Sequence, residues 1–146
     1  MQAILSALGR LMIVTIFVMS AAGHKIPHFA DVVKEMETKG VPQPGIMLVG
    51  AITFLVVGGF LVLFGFKARI GAFLLFMFLF VVTYYFHAFW KVPESMKQAE
   101  TINFMKNLSL MGTMVFIIAN GAGAGSIDAA RAARRVEPAP LPNPKR

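Results

Sequence analysis

The sequence predicts an all-α integral membrane protein, a four-helix bundle with an amphipathic helix on its outer side. Composition is the first observation behind this. The 146 residues are 57% hydrophobic and 14% charged, whereas soluble domains run nearer a quarter charged, and the mean hydropathy is +0.70. The second is that the apolar residues collect into four stretches, at about 3–23, 45–66, 70–90 and 104–125. Each is close to the roughly 20 residues that cross about 30 Å of hydrocarbon. The third is that these stretches exceed strand length and lack period-2 alternation, so helices are the structure that satisfies their backbone in lipid.

The first stretch is interrupted only by Arg10. A charge about two turns inside a span must snorkel or find a partner. Asp128, where the chain returns to the same side, is the partner expected. Leu11 to Met19 followed by Ser20-Ala21-Ala22 also has the pattern of a cleavable leader. The apolar run reaching back to Ala3 favours an uncleaved helix instead. In the loop His24 to Pro44, Phe29, Val32, Val33 and Met36 fall at i, i+3, i+4 and i+7, with Asp31, Lys34, Glu35 and Lys39 on the other face. That pattern is an interfacial helix stopped by Gly40 and Pro42. Covering the bundle rim is the favoured role, and a lid over a site is the alternative.

The second stretch carries no charge, and Gly58-Gly59 within it permits close helix approach. A short turn through Lys67 and Arg69 makes the second and third spans antiparallel neighbours. Pro93 and Glu94 suit the first turn of a helix, so the fourth helix is expected to begin well before its span. Met96, Ala99, Ile102 and Met105 then share one face. Ser126 is the expected N-cap of a short helix whose Arg131, Arg134 and Arg135 lie against anionic headgroups. Residues 1–130 form the membrane domain, and 131–146 a basic, Pro-rich cytoplasmic tail, expected to be disordered toward its end.

The chain's 14 Lys+Arg and 7 Asp+Glu give +7. With four spans, the termini side holds Arg10, Lys67, Arg69, Arg131, Arg134, Arg135, Lys145 and Arg146 against Asp128 and Glu137, a net +6. The other side nets +1, and every Arg lies on the first. Counting Lys and Arg by side predicts both termini in the cytoplasm of a bacterial inner membrane. The positive charge therefore orients the chain and does not point to nucleic acid. The lipid bilayer is the partner expected.

Candidate site residues gather at the outer rim. His24 and Lys25 close the first span, His87 and Trp90 close the third, and Lys106 and Asn107 open the fourth. His87, about one turn inside Trp90, suits a hydrogen bond to a quinone head or a proton relay; the plainer reading is an interfacial His bonded to a neighbour or to water. Lys106, one turn from Ile102 and from Leu110, can face inward toward an anion or quinone carbonyl, or simply snorkel. His24 and His28 have i, i+4 spacing, but Pro27 intervenes and no third ligand is evident, so no metal site is assigned. The run Gly121 to Gly125 follows an apolar helix and lacks the Lys of a phosphate loop. No nucleophile–base pair is recognisable, and no catalytic residue is assigned.

Taken together, Gly23-His-Lys-Ile26, Lys67-Ala-Arg69, Phe86-His-Ala-Phe-Trp90, Phe104-Met-Lys-Asn-Leu108, Gly121-Ala-Gly123 and Ser126-Ile-Asp128 resemble the DoxX family in order and spacing. That family consists of small four-helix membrane proteins named for a subunit of a thiosulfate:quinone oxidoreductase. Some relatives are linked to membrane redox or oxidative-stress complexes, and others look like cargo receptors or assembly factors. The resemblance carries over to Lys25, His87, Trp90, Lys106, Asn107 and Asp128. Many relatives have a Glu in the second span before the paired glycines; here the stretch is Phe54-Leu-Val-Val57. The usual Ser-Gly before the first-span Lys is Ala21-Ala22. The expected function is an accessory or quinone-proximal subunit of a membrane redox complex, working with other membrane subunits. The alternative is a membrane assembly, chaperone or structural interaction protein.

Overall fold

The computed structural model describes residues 1–136. Its helices are α1 (Gln2–Ser20), α2 (Phe29–Thr38), α3 (Pro44–Phe64), α4 (Ala68–Phe86), α5 (Glu94–Asn120) and α6 (Ile127–Val136). Among the described residues there is no strand, and four helices are long and apolar enough to cross a membrane. The Pro-rich segment at 137–146 lies outside the described residues.

The spanning helices run up and down, with α1 packed along α3, α3 along α4, and α4 along α5. Their shared core holds Val14, Phe17, Leu55, Val62, Leu75, Leu79, Met114 and Ile117. The tightest seam is α3 against α4. A Cβ at Gly58 would stand 2.9 Å from the Gly71 carbonyl oxygen, and one at Gly71 would stand 2.6 Å from the Leu61 Cβ. The expected close approach at Gly58 is therefore present, with Gly71 as its counterpart on the facing helix.

The 27 residues of α5 reach about 40 Å at 1.5 Å per residue, longer than the hydrocarbon. Its first turns project beyond the bundle, as Pro93 and Glu94 predict. At its other end α5 stops at Asn120 and does not continue to Gly125 as expected. Gly121, Gly123 and Gly125 take φ of +79°, +75° and +69°, which turns the chain out of the right-handed helix.

This turn builds the rim shared by the N-terminus, the α3–α4 connection and α6, here called the terminal rim. Arg10 is 6% exposed there. Its guanidinium donates to the carbonyl oxygens of Leu63 (3.2 Å), Ala122 (2.7 Å) and Gly125 (3.1 Å) and to Ser6 Oγ (3.3 Å). Ser6 Oγ in turn donates to Ala122 O at 2.9 Å. The expected Arg10–Asp128 pair does not form. Asp128 instead accepts from the backbone N–H of Lys67 (2.9 Å) and Ala68 (3.0 Å) at the start of α4, and donates its own N–H to Gly65 O at 2.8 Å. The reason is electrostatic. Helix C-termini present unsatisfied carbonyls and partial negative charge, and N-termini present bare N–H groups and partial positive charge. Arg10 meets the end of α3 and the glycine turn that follows α5, and Asp128 meets the beginning of α4. Gly65 sits in the left-handed region at φ +61°, where a Cβ would be 2.3 Å from the Ser126 Cβ. Ser126 caps α6 as expected, accepting from Ala129 N at 3.1 Å and donating to Gly123 O at 2.7 Å.

The opposite rim is covered by α2. Val32 and Met36 are buried with Val41 and Leu48, and Val33, Ile52, Tyr85 and Phe86 pack around them. The predicted apolar stripe thus seats on the ends of α3 and α4, while Phe29 remains 38% exposed.

Two substitutions test the terminal rim. Arg10→Met keeps the side-chain length but strands the carbonyls it serves, and should lower unfolding stability in detergent by about 3 kcal/mol. Gly65→Ala should cost about 2 kcal/mol through overpacking and backbone strain. Gly112→Ala, where a Cβ meets nothing within 4 Å, should be neutral or stabilising by up to about 1 kcal/mol.

Candidate functional site

The rim opposite the termini concentrates the polar side chains that the terminal rim does not use. α4 ends at Phe86, and the His87 N–H still donates to Thr83 O at 3.0 Å. That geometry places the imidazole at a helix C-terminus, where a proton donor is favoured. His87 Nδ1–H donates to Glu100 Oε2 on α5 at 2.8 Å, and the two side chains are 26% and 16% exposed. One turn deeper on α4, buried Thr83 receives a hydrogen bond on Oγ1 from Asn107 Nδ2 at 2.9 Å. Two polar bridges therefore tie α4 to α5 near the membrane surface, with the wetter one ionisable. Nε2 of His87 makes no hydrogen bond among the described residues, so it can address a ligand oxygen while Glu100 fixes the ring.

Trp90 stands in the 3-10 turn Phe89–Lys91. Its ring meets Phe89 edge-on at 5.0 Å and Phe104 at 5.9 Å, and Phe89 meets Phe104 at 5.3 Å. Lys91 Nζ lies 5.2 Å from the centre of Tyr84. These rings pack the 3-10 turn against Phe104 of α5, the kind of aromatic cluster found at membrane interfaces.

The other candidates are placed elsewhere. Lys25 Nζ donates to Ser20 Oγ at 2.7 Å and lies 5.4 Å over the Phe78 ring. His24 is exposed in the π-helical turn Ala21–Lys25, and its ring stacks on His28 at 5.7 Å. Lys106 is exposed on α5 rather than facing the bundle. His87 and Asn107 each bridge α4 to α5, and Trp90 packs on Phe104 of α5, while His24, Lys25 and Lys106 take no part in those bridges. Among the described residues, no group of three or more His, Cys, Asp or Glu could hold a metal ion.

Glu100 is the site residue absent from the candidates that the sequence singles out. The signal was present. Glu100, Asn107 and Met114 stand at heptad spacing on α5, and Met114 is buried. Beyond this stripe, the projecting end of α5 carries an open groove of about 470 Å³ lined by Phe89, Glu94, Lys97, Gln98, Thr101 and Ile102.

A double-mutant cycle of His87→Gln and Glu100→Gln, read by unfolding in detergent, should give a coupling of about 0.5–1 kcal/mol. Asn107→Val should cost about 1 kcal/mol, and Thr83→Val should add little in that background, because the shared bond is already gone.

Comparison with known proteins agrees with this architecture. Residues 5–88 match the DoxX family, a span that runs from α1 to just past His87. The chain is 33% identical over 119 residues to inner membrane protein YqjF of Escherichia coli K12, covering 82% of this chain and 85% of that protein. It is 27% identical over 125 residues to inner membrane protein YphA of the same organism, covering 86% and 89% respectively. No solved structure matches. Four membrane-length helices, a family match over more than half the chain and relatives aligned along most of their length together place this chain in the DoxX family of bacterial inner-membrane proteins.

Proposed function

We propose that this chain is a non-catalytic, quinone-proximal subunit of a larger membrane redox assembly. The observation that carries the reading is the His87–Glu100 hydrogen bond at 2.8 Å on the membrane rim. A carboxylate that holds Nδ1–H leaves Nε2 to accept or donate a proton at a quinone oxygen. The residues fit such a head group in two respects: the imidazole is held at headgroup depth, and the Phe89, Trp90 and Phe104 rings beside it offer flat apolar surface. Asn107 positions α5 through Thr83. Lys106 lies exposed on α5 beside Asn107, deeper than the His87–Glu100 pair. The redox centre belongs to a partner subunit, and no step of electron transfer is assigned to this chain.

The topology that goes with this reading puts both termini in the cytoplasm and the His87 rim on the outer side. Its support is the distribution of Arg, all of which fall on the terminal rim or in the segment beyond it. A second reading, an assembly or interaction protein without a redox role, is favoured by the groove on the projecting end of α5, which offers Phe89 and Ile102 beside Glu94 and Lys97 to a protein partner.

The test is solvent extraction of the purified protein. Quinone should be recovered at near-stoichiometric amounts from the wild type and lost from Glu100→Gln and His87→Gln variants that retain their helical content. Lipid extracts without quinone, and unchanged partner activity in a His87→Ala variant, would contradict the redox reading. Affinity capture from native membranes separates the two readings: a stoichiometric redox complex supports the first, and transient client proteins support the second.

A further inference from the structure

We propose that the terminal rim carries a binding site for the phosphodiester headgroup of an anionic phospholipid, built from Lys67, Arg69 and the arginine face of α6. Its centre is Phe66, which follows the end of α3 at the membrane surface. Lys67 Nζ lies 5.7 Å from the centre of this ring and Arg131 Cζ lies 4.7 Å from it. One aromatic ring therefore gathers a cation from the α3–α4 turn and another from α6. Arg69 reaches the same rim, where it donates to Ala119 O at 3.2 Å. On α6, Arg131, Arg134 and Arg135 fall at i, i+3 and i+4, so they share one face, and all three are exposed.

The charge of this cluster is not neutralised within the described residues. Asp128 is the one carboxylate on this rim among them, and both its oxygens are occupied by the backbone N–H groups of Lys67 and Ala68. None of the five cations has a carboxylate at ion-pair distance among the described residues. Lys67 itself stands in the left-handed backbone region at φ +48°, where a side chain is strained and glycine is the easy residue. Its side chain reaches over the Phe66 ring. The cluster sits where a bilayer presents its phosphates, with an aromatic residue at the interface and guanidinium forks able to bind phosphate oxygens in pairs. The lipid bilayer supplies the occupant, and the charge favours an anionic headgroup over a zwitterionic one.

The experiment is native mass spectrometry of the full-length protein in detergent, titrated with phosphatidylglycerol or with phosphatidylcholine. The wild type should bind phosphatidylglycerol preferentially, and inorganic phosphate at equal concentration should not displace it. Arg131→Gln should weaken phosphatidylglycerol binding about fivefold, and the triple change R131Q/R134Q/R135Q on the order of a hundredfold, with phosphatidylcholine binding unaffected. Lys91→Gln, on the opposite rim, should leave the preference intact. Equal binding of the two lipids by the wild type would overturn the proposal. So would an unweakened triple variant, or displacement by free phosphate. Should the triple variant not purify as a folded protein, the single Arg131→Gln value decides the matter.

Discussion

A guanidinium buried within a membrane span must find oxygen, and Arg10 finds it at the end of α3 and in the glycine turn after α5. α3 and α5 both finish at the terminal rim, and there the carbonyls of Leu63, Ala122 and Gly125 receive the three nitrogens of one side chain. Buried carbonyls need a donor, so the charge and these carbonyls satisfy each other. α1 is thereby fastened both to α3, along which it packs, and to the turn that follows α5. The geometry of that turn follows from the same constraint. Three glycines at positive φ bring the carbonyls round to Arg10, and Gly65 makes room for Ser126. Asp128 then closes the first turn of α4. A cation at one helix end and one glycine turn, and an anion at one helix start, give a rim held by charge against backbone.

The opposite rim is organised differently. There the side chains bond one another, Glu100 to His87 and Asn107 to Thr83, and α2 covers the ends of α3 and α4 with Val32 and Met36. The terminal rim is thus held by side chain against backbone, and the opposite rim by side chain against side chain. The 2.9 Å and 2.6 Å clearances around Gly58 and Gly71 lock α3 to α4 between them, so the His87 end of α4 is positioned by the same seam that positions its Asp128-capped beginning.

Much of this was legible in the residues. Four apolar stretches gave the spans, the spacing of Phe29, Val32, Val33 and Met36 gave α2, and Pro93-Glu94 gave the early start of α5. Ser126 announced the N-cap of α6. What sequence pattern could not supply was which helix end lies beside which charge. Arg10 and Asp128 looked like partners because both belong to one side of the membrane, but opposite charge is a weaker guide there than unsatisfied backbone. The end of α5 was overrun because Gly and Ala are apolar by composition, whereas the glycines act through their backbone freedom. Lys106 shows the complementary limit. Its spacing from Ile102 and Leu110 is compatible with an inward face, yet Asn107, one residue on, is the side chain that faces α4. At the candidate site, His87 and Asn107 were readable from their places at the ends of spans, while Glu100 needed the heptad register of α5 to connect it with them.

Membership in the DoxX family and the inner-membrane architecture rest on most of the chain, whereas the proposed quinone and lipid roles rest on one rim each. Both depend on the terminal rim holding the helices in register. Hydrogen–deuterium exchange on an Arg10→Gln variant addresses that dependence most directly. The account predicts that the amides of Lys67, Ala68 and Asp128 lose protection while those of Val32 to Met36 in α2 keep it. Wild-type protection at Lys67, Ala68 and Asp128 in the variant would contradict the role given to Arg10.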